Sequence, residues 1–166
     1  MGNIYNLSWA IGIMMFRTHF AFGLLIGLLF LPHVQHILIF LPVLLVSSLI
    51  PDIDTAQSFI GRRAWIFRPM QWIVRHRSFI HSFTFCIAVT LLFVLYIPII
   101  ALPFFLGFST HLFADALTVE GIRPFWPSKT ELAGKIRTGG KREAGIFIFV
   151  VVLDIALIVN LFLKII

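Results

Sequence analysis

The run "GIFIFVVVLDIALIVNLFL", residues 145–163, holds nineteen residues and a single charge, Asp154. A helix of ~20 apolar residues crosses the hydrocarbon of a bilayer, so this segment sets the first constraint on the fold. Four more apolar stretches precede it: residues 20–31 (reaching back toward Leu7), 34–50, 79–97 and 99–117. The first two are marginal in length, which leaves tilted or re-entrant arrangements open. Pro32 and Pro98 predict tight turns between stretches. Pro42 and Pro103 fall inside two of them and predict kinks, because proline lacks the N–H that a helix interior needs.

Composition agrees. The chain is 60% hydrophobic and 12% charged, with a mean hydropathy of +1.02. Soluble domains lie nearer half apolar and a quarter charged, so the surplus apolar surface needs lipid. Backbone in lipid must satisfy its own hydrogen bonds, and the alternating short segments of a membrane β-barrel are missing. The prediction is an all-α, polytopic integral membrane helix bundle. It has about five membrane-embedded helices in one domain, residues 1–166, and a polar site at one membrane face. Cys86, the single cysteine, forms no internal disulfide. The opening "MGNIYNLSWAIGIMMFR" lacks the basic start and small-residue cleavage site of a signal peptide.

The basic residues orient the bundle. Residues 51–78 carry Arg62, Arg63, Arg68, Arg75 and Arg77, and residues 118–144 carry Arg123, Lys129, Lys135, Arg137, Lys141 and Arg142. Two spans separate these linkers, and Arg17 falls on the same side, so twelve of the thirteen basic residues share one face. The positive-inside rule makes that face cytoplasmic, with the N-terminus inside and the C-terminus outside. A net charge of +6 flanking apolar runs reads as orientation and contact with lipid headgroups; no nucleic-acid partner is expected. Trp65, Trp72 and Trp126 suit interfacial anchoring, and residues 64–74 suit a helix lying along the surface.

On this topology the polar residues converge. His19 begins the first span, Asp52 and Asp54 follow the second, His76 and His81 bracket the start of the third, and His111 and Asp115 end the fourth. Seven potential metal ligands from four helix ends thus reach one membrane level. His111 and Asp115, four apart, share a helix face. His76 and His81, five apart, do not, which puts one of them in the turn before the helix. After Pro51, a turn lets both Asp52 and Asp54 point inward. Each piece has a plainer reading: Asp52 as a helix cap, His111 with Asp115 as a structural pair, His19 and His76 as interfacial side chains. Together they require several coincidences at one depth, where ionisable groups are rare and usually functional. His33 and His36 fall in the opposite turn and read as interfacial, and Asp154 has no partner legible in the sequence.

The segments "RTHFAFG" (17–23), "SSLIPDIDTAQSFIGRR" (47–63), "RHRSFIHSF" (75–83) and "GFSTHLFADALTVEGIRPFWP" (107–127), in that order, resemble the YdjM family. Its members are described as membrane-bound metal-dependent hydrolases related to the zinc phospholipase C superfamily. The resemblance covers residues 17–127, and the span at 145–163 is generic. It implies a metal site of His19, Asp52, Asp54, His76, His81, His111 and Asp115. Ser78 stands where the family pattern has glycine, which adds bulk beside the site and removes no ligand.

Oxygen and imidazole ligands without thiolate suit Zn²⁺, and also Mn²⁺ or Fe²⁺, as one ion or two. Such a site activates water for attack on phosphorus or a carbonyl carbon. Two divalent ions and three aspartates leave a net positive site, favourable to an anionic phosphoester. Its depth points to a membrane lipid or lipid-linked substrate. Asp54, Asp115 and Arg77 are the candidate catalytic residues; Arg62, Arg63 and Arg75 are candidates for binding the phosphate bidentately. The rival readings are a metal or proton transporter using the same cluster and a non-catalytic module stabilised by metal. The topology has a direct test. Ser58→Cys and Ser128→Cys, each in a Cys86→Ser background, are expected to resist an impermeant thiol reagent applied to intact cells. Labelling of either from outside reverses the orientation.

Overall fold

The computed structural model describes residues 2–54 and 77–165, with side chains for residues 16–52 and 79–164. Six α-helices are present among them: α1 (Gly2–Phe30), α2 (Ile37–Ser47), α3 (Arg77–Ile80), α4 (Phe83–Tyr96), α5 (Pro98–Ala116) and α6 (Lys141–Ile165). Among the described residues there is no strand, only two isolated bridges in the loop between α5 and α6, Thr118 with Ile136 and Ile122 with Leu132. The one-turn α3 leads into α4, so five helices make the bundle, as expected.

The breaks follow from local chemistry. Leu31–His33 forms a single 3-10 turn around Pro32, which cannot donate the next helical bond. Pro98 occupies the first turn of α5, where a missing N–H goes unnoticed. Pro42 and Pro103 lie inside α2 and α5. Ser82 accepts from the Phe85 N–H at 3.2 Å and caps α4; this cap restarts the helix after the turn at His81.

Lengths depart from the sequence reading in two places. The stretch at 79–97 was expected to form one span, but the break at His81 and Ser82 leaves a fourteen-residue α4, ~21 Å long at 1.5 Å per residue. The helix of the first stretch already runs from Gly2, so His19 lies within α1, near the start of the apolar span Phe16–His33. Among the described residues, three helices are long and apolar enough to cross a membrane, at Phe16–His33, Pro98–Ala116 and Lys141–Lys164. The eleven-residue α2 reaches ~16 Å, short of the ~30 Å hydrocarbon thickness.

α5 is the centre of the bundle and packs against α1, α2 and α4, while α6 packs on α1. Cys86, Phe104, Phe108, Leu112 and Ile122 form the buried core. Leu38 of α2, Leu95 of α4 and Phe162 of α6 are 92%, 75% and 66% exposed, an arrangement that suits lipid and not water.

Glycines set the helix separations. A Cβ on Gly107 of α5 would lie 2.2 Å from the backbone oxygen of Leu44 in α2. One on Gly23 of α1 would lie 2.6 Å from Ser48 Oγ. Small residues at such contacts are how membrane helices approach closely without a hydrophobic driving force. Gly107→Ala is therefore expected to destabilise the bundle by about 1–3 kcal/mol, the usual range for overpacking. Thermal denaturation in detergent checks this, and an unchanged midpoint would disprove the close approach.

Candidate metal centre

The polar end of the bundle is built around α5. His111 and Asp115 lie one turn apart, with His111 Nε2 3.3 Å from Asp115 Oδ2. The other Asp115 oxygen is 3.2 Å from His19 Nε2 of α1. His81, in the turn before α4, brings Nε2 to 3.8 Å from Asp115 Oδ2. Asp52, in the 3-10 turn Ile50–Asp54 that follows α2, has Oδ1 4.0 Å from His111 Nε2. The His19 and His111 rings stack with centroids 4.0 Å apart, and His81 meets His111 edge-on at 5.6 Å. His19, Asp52, His81 and His111 are buried; Asp115 is half-buried.

One hydrogen bond fixes the chemistry of the central ring. Ser48 is the C-cap of α2, and the last carbonyls of a helix have no partner within it. The Ser48 carbonyl oxygen lies 2.9 Å from His111 Nδ1. A carbonyl only accepts, so Nδ1 carries the proton. His111 Nε2 then faces two carboxylates, and it makes no aligned hydrogen bond with either. A buried lone pair set against carboxylate oxygens is repulsive unless positive charge lies between them. A proton on Nε2 serves one carboxylate at a time, whereas a divalent cation serves both.

The donor set fits such an ion. His19, His111 and Asp115 form one group whose ligand atoms lie within 4.8 Å of one another, and Asp52, His81 and His111 form a second. Both draw on His111, whose Nε2 offers one lone pair. Imidazole and carboxylate together suit zinc and its first-row neighbours.

Five of the seven residues singled out in the sequence therefore meet: His19, Asp52, His81, His111 and Asp115. The Asp54 and Arg77 side chains, and all of His76, Arg62, Arg63 and Arg75, lie outside the described parts of the structure. His33 and His36 are exposed around the α1–α2 turn. Asp154 is buried midway along α6, and its Oδ1 has no hydrogen-bond partner among the described residues.

Sequence reasoning missed Glu143. This carboxylate, in the first turn of α6, is buried and accepts from the Thr18 hydroxyl at 3.0 Å. The two residues are 125 positions apart, so no spacing rule connects them. The only available signal was an acid at the head of the last span.

A family model described as YdjM inner membrane protein matches residues 14–164. The chain belongs to the YdjM family. The match passes beyond residues 17–127 and takes in most of α6. Two relatives, each called Inner membrane protein YdjM, come from Escherichia coli (strain K12) and Shigella flexneri. Each is 36% identical over 96 residues, covering 53% of this chain and 49% of the relative. Uncharacterized protein YvsG of Bacillus subtilis (strain 168) is 36% identical over 103 residues, covering 59% of this chain and 64% of YvsG. The chain spans about half the length of the two YdjM proteins it matches. No solved structure matches. The apolar helices and the relatives' names make this YdjM-family chain an inner membrane protein.

His111 belongs to both ligand groups, so its loss is expected to remove the metal response of the whole centre. Zinc at a hundred times its dissociation constant stabilises a native protein by about 2.7 kcal/mol. In detergent, zinc should raise the melting temperature of the wild type and of His33→Ala, and leave His111→Ala unmoved. A full zinc shift in His111→Ala would show that the ring is no ligand.

Proposed function

We propose that this chain is a membrane-embedded, metal-dependent hydrolase that cleaves a phosphoester of a lipid or lipid-linked substrate. The observation that carries the reading is the His111 imidazole. Its buried Nε2 faces Asp52 and Asp115, with His19 and His81 completing two possible ligand groups. A divalent ion held there, Zn²⁺ first and Mn²⁺ or Fe²⁺ next, supplies a Lewis acid and lowers the pKa of water beside it.

The chain's own residues divide the remaining work. Asp115 presents both carboxylate oxygens to three imidazoles and balances the charge of the centre. His19 and His81 approach from separate elements and hold Asp115 between them. Asp54, two residues beyond Asp52, is proposed as the base that takes a proton from the attacking water. Arg77 opens α3 four residues before His81 and is proposed to hold the phosphate, with Arg62, Arg63 and Arg75 nearby in the chain. The basic linkers put the site and the N-terminus on the cytoplasmic side in this reading.

A transporter would need polar groups along a path through the bilayer. Among the described buried carboxylates and histidines, all but Asp154 gather at one end. Asp154 is eleven residues beyond Glu143 in α6, ~16 Å along the helix. One carboxylate at that depth is a poor path, and the hydrolase is the better reading.

Asp115→Asn keeps the side-chain volume and removes the charge. Partners of metal ligands outside the coordination sphere are worth roughly 10–100-fold, so losing a ligand charge is expected to cost at least the upper end of that range. Purified wild type should turn over a panel of anionic phosphoesters only with metal present. Asp115→Asn should express and fold normally but show no turnover. Arg77→Ala should raise KM more than it lowers kcat. Wild-type turnover in Asp115→Asn would make the pair structural and end the hydrolase reading.

A further inference from the structure

Glu143 has no task in the site described so far, yet it is only 6% exposed. Its Oε2 accepts from the Gly139 backbone N–H. That contact is what a helix start asks of an acid in its first turn, since it satisfies an orphan donor and matches the helix dipole. A solvent-exposed helix end meets the same need, so capping explains neither the burial nor the second contact. Through Oε1, Glu143 accepts from the hydroxyl of Thr18, the residue before His19.

Between these groups lies a cavity of about 30 Å³, lined among others by Thr18, His19, Asp115, Thr118, Thr138 and Glu143. Phe22, Leu117, Ile136 and Ile146 also belong to its lining, which is mostly apolar, so the cavity offers the His19 ring little support and leaves the Glu143–Thr18 contact to hold this turn of α1. His19 Nδ1 is buried and makes no hydrogen bond with the described residues. With Nε2 turned to Asp115, Nδ1 is the ring atom that needs outside support, and ligating histidines are normally oriented through that second nitrogen.

We propose that Glu143 is a positioning residue of the centre. Through Thr18 it fixes the turn of α1 that carries His19. This inference rests on the metal reading above. It gives the last span a role at the site, although that span contributes no ligand to the groups found.

The test is a double-mutant cycle on zinc affinity, measured in detergent by competition with a chromophoric chelator. Glu143→Gln keeps the volume but is one acceptor short for its two donors. Thr18→Val keeps the shape and removes the hydroxyl; Thr18→Ser restores it. Each of the first two variants should weaken zinc binding about tenfold. The double variant should be no weaker than the worse single, since both cut the same link. Thr18→Ser should bind as wild type does, and the three Thr18 measurements suffice if Glu143→Gln fails to fold. Lower melting temperatures with unchanged zinc affinity, or losses that simply add, would overturn the inference while leaving the metal reading intact. A wild type that binds no zinc would overturn both.

Discussion

The polar end of this bundle depends on how closely α5 approaches α2. Gly107 lets the α5 backbone reach the Leu44 carbonyl, and His111 follows one turn later on the same face. Its Nδ1 then meets the carbonyl that α2 leaves open at Ser48. The same Ser48 packs its hydroxyl against Gly23 of α1, which brings His19 into stacking distance of His111. Three helices are thus registered at one residue. A larger side chain at Gly107 would part α5 from α2 and release the ring that both ligand groups share.

The register comes at an electrostatic cost. Two carboxylates and three imidazoles crowd together at low exposure, where unpaired charge is strongly disfavoured. Apolar side chains of similar size would pack there without that cost, as they do one and two turns earlier in α5 at Phe108 and Phe104. Keeping the polar set makes sense if a ligand stabilises it. The short α2 and the break before α4 serve the same end, because a 3-10 turn and a capped restart each place one ligand, Asp52 and His81, where a continuous helix would carry it past.

The loop between α5 and α6 closes this end. Its two bridges rest on close backbone contacts at Gly121, which has φ +63°, and at Gly134, where a Cβ would lie 2.1 Å from the Leu117 carbonyl oxygen. The Pro124 carbonyl accepts from the Phe83 N–H at 2.8 Å, and Trp126 meets Phe79 edge-on. The loop therefore ties the start of α4 to the end of α5, and Glu143 ties the start of α6 to α1. Three helix ends and one mid-helix turn are braced by backbone and carboxylate contacts, while exposed apolar side chains further along contribute no direction.

The sequence by itself determined that this chain lives in a membrane as helices, because apolar runs with so few charges leave no other way to satisfy their backbone. It also determined that His111 and Asp115 share a face, since the helical period alone fixes an i, i+4 pair. The convergence of His19, Asp52 and His81 on that pair was legible as topology: an even number of passes along the bundle returns the chain to the same end. Distances and proton positions were not legible. The Ser48 carbonyl that assigns the His111 tautomer is invisible in a residue string, because every residue has a carbonyl and only packing decides which one is left unpaired. The break at His81 and the link from Glu143 to Thr18 were likewise settled by tertiary structure. Each depends on contacts between segments far apart in the chain, where local propensity and spacing carry no information.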